Sequence, residues 1–156
     1  MFVNLYIMRH GEAQMIAASD EARELTAHGV AEVTKNAQWL KQQVAGFDLV
    51  LVSPFIRAQQ TQHIVCELIE TPTKLETTVD LIPEGSAENV HDYIDAAIQL
   101  YQPKNILLVS HMPLVSYLVE EFTIEHASPI FPTAGIAYIQ YDVKQMKGHF
   151  EAVKAP

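Results

Sequence analysis

Three short runs, Leu5-Tyr6-Ile7-Met8, Leu49-Val50-Leu51-Val52 and Ile106-Leu107-Leu108-Val109, restrict this chain more than any other feature. Each is apolar at every position, the pattern of a strand covered on both faces in a parallel sheet. Each also stops abruptly in polar residues. The first ends in Arg9-His10-Gly11, the second in Ser53-Pro54 with Arg57 just behind, the third in Ser110-His111-Met112-Pro113. The carboxyl edge of an open α/β sheet is where such folds bind ligands. Gly11 is expected to let the backbone turn sharply past the first strand, or to approach a ligand closely.

Helical patterns separate the runs. Ala13 to Glu24 has no clean period and reads as a loop or broken helix. Thr26 suits an N-cap, and Val30, Val33, Ala37, Leu40 and Val44 then form a stripe, with Trp39 beside it as core and Gly46 as the stop. After the strand Asp48–Val52, Ser53 is read as the cap and Pro54 as the first position of a helix reaching about Glu70. That helix buries Ala58, Ile64, Val65, Leu68 and Ile69 and is stopped by Thr71-Pro72. Leu75 to Ile82 holds one or two short extended pieces, and Pro83-Glu84-Gly85 a turn. Ser86 caps a third helix, with Val90, Ile94, Ala97, Ile98 and Tyr101 on one face. The strand Asn105–Ser110 leads into a helix from Pro113 to about Phe122, then a loop from Glu125 to Thr133. The strand Gly135–Val143 follows, with a turn at Lys147-Gly148 into an edge strand near Phe150–Val153. This alternation predicts one doubly wound α/β domain over residues 1–156: three αβα layers, a mostly parallel central sheet and right-handed crossovers.

Composition narrows the function. A chain of 156 residues with 49% hydrophobic and 19% charged residues folds around a real core. The single cysteine, Cys66, rules out a disulfide framework and fits a reducing cytoplasm. The apolar run Phe2–Met8 is too short for a signal peptide or a membrane span. A net charge of −9 makes nucleic acid a poor partner. Within that acidic chain there are three arginines, Arg9, Arg23 and Arg57. Arginine's planar fork matches phosphate oxygens.

Two of those arginines and two histidines fall at strand-to-helix junctions, and the helices after the second and third strands aim their N-termini at the same edge, which favours anions. Three unrelated surface charges is the competing reading, and the shared junctions count against it. A neutral imidazole can attack phosphorus in line and hold the phosphoryl group through an N–P bond. Guanidinium groups and helix dipoles stabilise the charge on the transferring oxygens. Zinc is the competing use of His10 and His111, but no Cys–His or His-Glu-x-x-His spacing is present.

The ordered stretches Ile7-Met8-Arg9-His10-Gly11, Ala17-Ala18-Ser19-Asp20, Arg23 with Leu25-Thr26 and Gly29, Leu51 to Ala58, Gln60-Thr61 and Val109 to Val115 resemble the histidine phosphatase superfamily, and within it the short SixA branch. That resemblance implies a phosphoglycerate-mutase-like fold without the large lid insert of ester-cleaving relatives, because Glu70 to Ser86 leaves no room for one. It implies a phosphohistidine phosphatase of phosphorelay signalling, with His10 as nucleophile, Arg9 and Arg57 as phosphate clamp and His111 as donor to the phosphoryl oxygens. No metal or cofactor is implied. Arg23, Gly11 and Glu84 are lesser candidates for substrate contact. Ser53 and Ser110 could orient clamp residues, and for Ser53 the cap is favoured. Glu84, Asp20 and Glu12 are candidate general acids, with a plain helix-start charge favoured for Glu84. The implied substrate is a histidine-phosphotransfer domain or phosphocarrier protein, met by a cytoplasmic monomer. The rival readings are a small-molecule phosphomonoesterase with Glu84 as acid, and a non-catalytic module that binds phosphohistidine.

Overall fold

The computed structural model describes residues 1–70 and 72–156. One six-stranded sheet runs through the molecule in the order β3-β2-β4-β1-β5-β6. Its strands are β1 (Phe2–Arg9), β2 (Leu49–Val52), β3 (Lys74–Thr77), β4 (Asn105–Ser110), β5 (Ile136–Asp142) and β6 (Lys147–Lys154). The first four in chain order are mutually parallel; β5 pairs antiparallel with β1, and β6 antiparallel with β5. The predicted mostly parallel α/β sandwich is therefore the observed architecture.

The apolar runs work on both faces, as a pleat of period two requires. Leu5, Ile7, Leu49, Leu51, Ile106 and Leu108 pack with α3 (Ala87–Tyr101) and α4 (Leu114–Phe122). Tyr6, Met8, Val50, Val52, Leu107 and Val109 pack with α1 (Ala27–Gln43) and α2 (Ile56–Leu68). The caps Thr26 and Ser86 form as expected, accepting from the backbone N–H of Gly29 and Asn89. Leu75 to Ile82 becomes β3 and a short 3-10 turn, Val79–Leu81.

Several expectations need correction. The buried face of α1 is Gly29, Val33, Asn36, Ala37 and Leu40, so Val30 turns outward at 43% exposure. Two contacts explain this rotation. Asn36 Nδ2 donates to the carbonyls of Ala134 and Lys154 at 2.7 and 3.0 Å, and Gly29 lies against the backbone of Glu12. Trp39 is half-buried at the rim rather than core. Gly46 is not the stop: α1 ends on extended Val44, and Gly46 bridges to Glu70. The second helix starts at Ile56 with Phe55 at its N-cap, later than Ser53-Pro54. It ends at Leu68, ahead of Pro72, and leaves Ile64 and Leu68 half-buried; Thr71 lies outside the described residues. Tyr101 is exposed at the end of α3. The last hairpin turns at Val143–Met146, and Lys147 and Gly148 belong to β6. A side chain at Gly148 would meet the Gln140 carbonyl at 2.5 Å, so this glycine serves close strand pairing rather than a turn.

Gly11 has no left-handed backbone either. A Cβ there would lie 2.7 Å from both the Gly29 carbonyl and Val33 Cγ2, so its role is close approach to α1. The same contact makes Gly29 more demanding, because a Cβ there would sit 2.1 Å from the Glu12 carbonyl oxygen. In an unconstrained helix Gly→Ala gains about 1 kcal/mol. Gly29→Ala is expected to reverse that sign and cost more than about 2 kcal/mol, read as a lowered midpoint in chemical denaturation.

Candidate active site

Parallel pairing places the three junctions side by side. Arg9 is in register with Ser110 across β1 and β4, and Val52 with Val109 across β2 and β4. Past the strand ends, the His10 N–H donates to the Ser110 carbonyl at 3.0 Å and the Ser53 N–H to the Val109 carbonyl at 3.1 Å. His10 and His111 thereby face each other, with ring centroids 5.0 Å apart. Both are buried, at 7% and 1% exposure, and Arg57 beside them is 4% exposed.

His10 is held from both sides. Its Nδ1 lies 2.6 Å from the Gly11 carbonyl, which can only accept, so Nδ1 carries the proton and Nε2 is bare. Arg57 Nε donates to that Nε2 at 3.2 Å. The rest of the Arg57 fork is anchored on Asp20: Nη1 donates to the backbone carbonyl at 2.6 Å and Nη2 to the carboxylate at 3.2 Å. Arg9 Nη1 donates to the Phe131 carbonyl at 2.8 Å, which leaves its Nε buried with no partner among the described residues. Thr61 ties the first two junctions together. Its hydroxyl accepts from the Gly11 N–H at 3.2 Å and donates to the Arg57 carbonyl at 2.7 Å. Ser110 Oγ donates to the Leu81 carbonyl at 2.7 Å and fixes the third junction to the 3-10 turn.

Electrostatics follow from this packing. Burial is the main cause that lowers the His10 pKa to about 4; the Gly11 carbonyl opposes it, and the charges of Arg57, Arg9 and Arg23 add to it. Burial likewise takes His111 to about 2, helped by His10 and Arg57. Both rings are neutral at physiological pH.

The candidate acids fare differently. Asp20 is held below the ordinary carboxylate range, first by its hydrogen bond from Arg23 and then by Arg57, so it carries no proton to give near neutrality. Glu12 is exposed and accepts from the Thr26 hydroxyl at 2.9 Å at the start of α1. Glu84 is exposed in its turn and makes no polar contact among the described residues. Arg23 sits farther out, donating to the Gln14 carbonyl at 2.6 Å and to Asp20 at 3.0 Å. Phe131 and Phe55 are core, and Met112 packs against it. Among the described residues no three His, Cys, Asp or Glu side chains gather as a metal site.

Two residues act in ways their sequence context conceals. Ser53 does not cap α2. Its Oγ accepts from the Phe55 N–H at 3.2 Å, ahead of the helix, and lies 2.7 Å from His111 Nε2. Asp20 is the outer anchor of Arg57 rather than an acid. Both belong to stretches that carried the family resemblance, which was the available signal.

A profile of the histidine phosphatase superfamily (branch 1) matches residues 5–88. Phosphohistidine phosphatase SixA of Escherichia coli strain K12 is 39% identical over 140 residues, 90% of this chain and 86% of that protein. The chain belongs to the histidine phosphatase superfamily. A SixA homolog of Haemophilus influenzae is 38% identical over 147 residues, 90% of this chain and 89% of its own length. The structure of the protein histidine phosphatase SixA complexed with tungstate superimposes with a TM-score of 0.93 at 38% identity, covering 99% of this chain and 97% of that one. The profile stops short of His111, which enters the site only through β4.

The buried tautomer yields a direct expectation. Titration of the His10 ring, followed by NMR, has its midpoint near 4 rather than the ordinary 6.5. Because the folded value is depressed, the unfolded chain takes up this proton first. The stability that His10 contributes is therefore complete above 6.5 and drains as pH falls towards 4. A midpoint at or above 6.5 contradicts the assigned environment.

Proposed function

We propose that this chain is a metal-independent phosphohistidine phosphatase whose nucleophile is His10. The observation that carries the reading is the bare His10 Nε2, backed by the Gly11 carbonyl and flanked by Arg57 and His111. The whole chain, residues 1–156, acts as the domain, since β4 and His111 complete the site.

Nε2 attacks the phosphorus of a phosphohistidine on the substrate protein. The substrate's N–P bond breaks as the new one forms, and its ring, already protonated at the other nitrogen, departs as neutral imidazole. His10 becomes a phosphoimidazolium that keeps its Nδ1 proton, and the Gly11 carbonyl at 2.6 Å stabilises that positive charge. Arg57 moves its Nε–H from the consumed lone pair to a phosphoryl oxygen, while Arg9 and His111 meet the others. Water then attacks phosphorus, the His10 N–P bond breaks, and inorganic phosphate leaves with neutral His10.

This chemistry needs no general acid over the leaving group. Between α2 and α3 the described chain forms β3, the 3-10 turn and the Pro83-Glu84 turn, with no added subdomain above the site. An alkoxide leaving group would need a proton donor, and Glu84 lies exposed without a polar partner among the described residues. The two curated relatives, both named for phosphohistidine, support the same substrate class. The expected partner is a histidine-phosphotransfer domain or phosphocarrier protein, met by a monomer in the cytoplasm. No described helix is long and apolar enough to cross a membrane.

Acid-quench labelling with a phosphorylated histidine-phosphotransfer domain should give an acid-labile, base-stable label on His10. His10→Ala should lose at least about a thousandfold in turnover while retaining oxyanion binding. Glu84→Gln should change turnover by less than about twofold, the ordinary effect of an exposed substitution. Clear preference for sugar phosphates over the phosphorylated protein, or turnover surviving His10→Ala, overturns the proposal.

A further inference from the structure

His111 is almost wholly buried, yet its two ring nitrogens have different company. Nε2 lies 2.7 Å from Ser53 Oγ, and Nδ1 is buried with no partner among the described residues. Ser53 is itself fully buried. Its oxygen already accepts from the Phe55 N–H at 3.2 Å, a group that can only donate. The hydroxyl proton is left to be given, and His111 Nε2 is the acceptor in reach. A neutral imidazole that accepts at Nε2 carries its proton on Nδ1.

We infer that Ser53 is a positioning residue that fixes His111 as the Nδ1–H tautomer, so that the second histidine offers a neutral N–H donor to the phosphoryl group under attack by His10. This rests on the function proposed above. Counting donors supports the assignment. With the opposite tautomer, His111 would donate to Ser53, leaving a buried hydroxyl proton without an acceptor and a lone pair on Nδ1 facing an anion. With the inferred one, the single orphan is an N–H, and a phosphoryl oxygen satisfies it. The two rings then carry the same tautomer and present opposite edges: His10 shows its lone pair, His111 its N–H. Burial and the nearby His10 and Arg57 keep His111 from gaining a second proton, so it donates without adding charge.

The test begins with NMR of the full chain carrying isotope-labelled histidine, with His111 signals assigned by their loss in His111→Ala. The wild-type protein should show His111 protonated at Nδ1 and bare at Nε2, and Ser53→Ala should show a mixture of tautomers. Phosphoenzyme formation, measured with a histidine-phosphotransfer domain phosphorylated by phosphoramidate, should fall about tenfold to a hundredfold in Ser53→Ala, as when one oxyanion donor is weakened. Ser53→Ala should add less than about twofold to the loss in His111→Ala, because both changes remove the same donor. A merely structural serine would give additive losses. A wild-type proton on Nε2, or additive losses in the double variant, overturns the inference. The wild-type tautomer is read without substrate and without any folding-sensitive variant of Ser53. A chain that shows it and still fails on the phosphorylated protein refutes the proposed substrate instead.

Discussion

Two backbone hydrogen bonds just past the strand ends, His10 N–H to the Ser110 carbonyl and Ser53 N–H to the Val109 carbonyl, hold the functional part of this molecule together. They extend the parallel pairing of β1, β4 and β2, and each hands over a chemically useful side chain as the sheet stops. A slip of one residue in either register would turn every side chain of that strand to the other face. The apolar runs forbid such a slip, because both faces are buried and each is packed by its own pair of helices. Core packing thus sets the geometry of the chemistry.

Charge is concentrated in that geometry. An acidic chain gathers two of its three arginines around two buried imidazoles. Burial keeps the rings neutral, so Arg57 donates to a lone pair of His10 rather than facing an imidazolium. Asp20 completes the arrangement from outside. Its carboxylate joins Arg57 to Arg23, so the buried arginine is aligned by an exposed partner on one side and by His10 on the other. On the proposed function, the site is matched to a leaving group that brings its own proton, which is why an open edge with no carboxylic acid over it suffices.

Much of this was legible in the chain. Runs apolar on both faces identified the buried strands, and the alternation with helical stripes identified the layers. His10, Arg9, Arg57 and His111 were legible because each sits at a strand end or within the next helical turn. The departures have a common cause. Local rules for stripes, stops and caps place Val30 inside, Gly46 at a helix end and Ser53 at an N-cap, and each is overridden by a contact from far along the chain. Asn36 rotated α1 towards Ala134 and Lys154, Gly46 was drawn into a bridge with Glu70, and Ser53 was engaged by His111. The same holds for Gly11 and Gly29, whose shared requirement is backbone-to-backbone contact.

The linear chain by itself determined the strands, their burial, and which side chains stand at their ends, because periodicity and strand termini are properties of neighbouring residues. Tertiary structure alone decided which nitrogen of His111 is free, what anchors Arg9 and Arg57, and why Gly11 and Gly29 are required. Those outcomes depend on pairs 47, 58 and 122 residues apart, namely Arg57 with His10, His111 with Ser53 and Arg9 with Phe131. Hydrogen-bond donors and acceptors at such separations meet only when the whole sheet has formed, and no local pattern encodes their pairing.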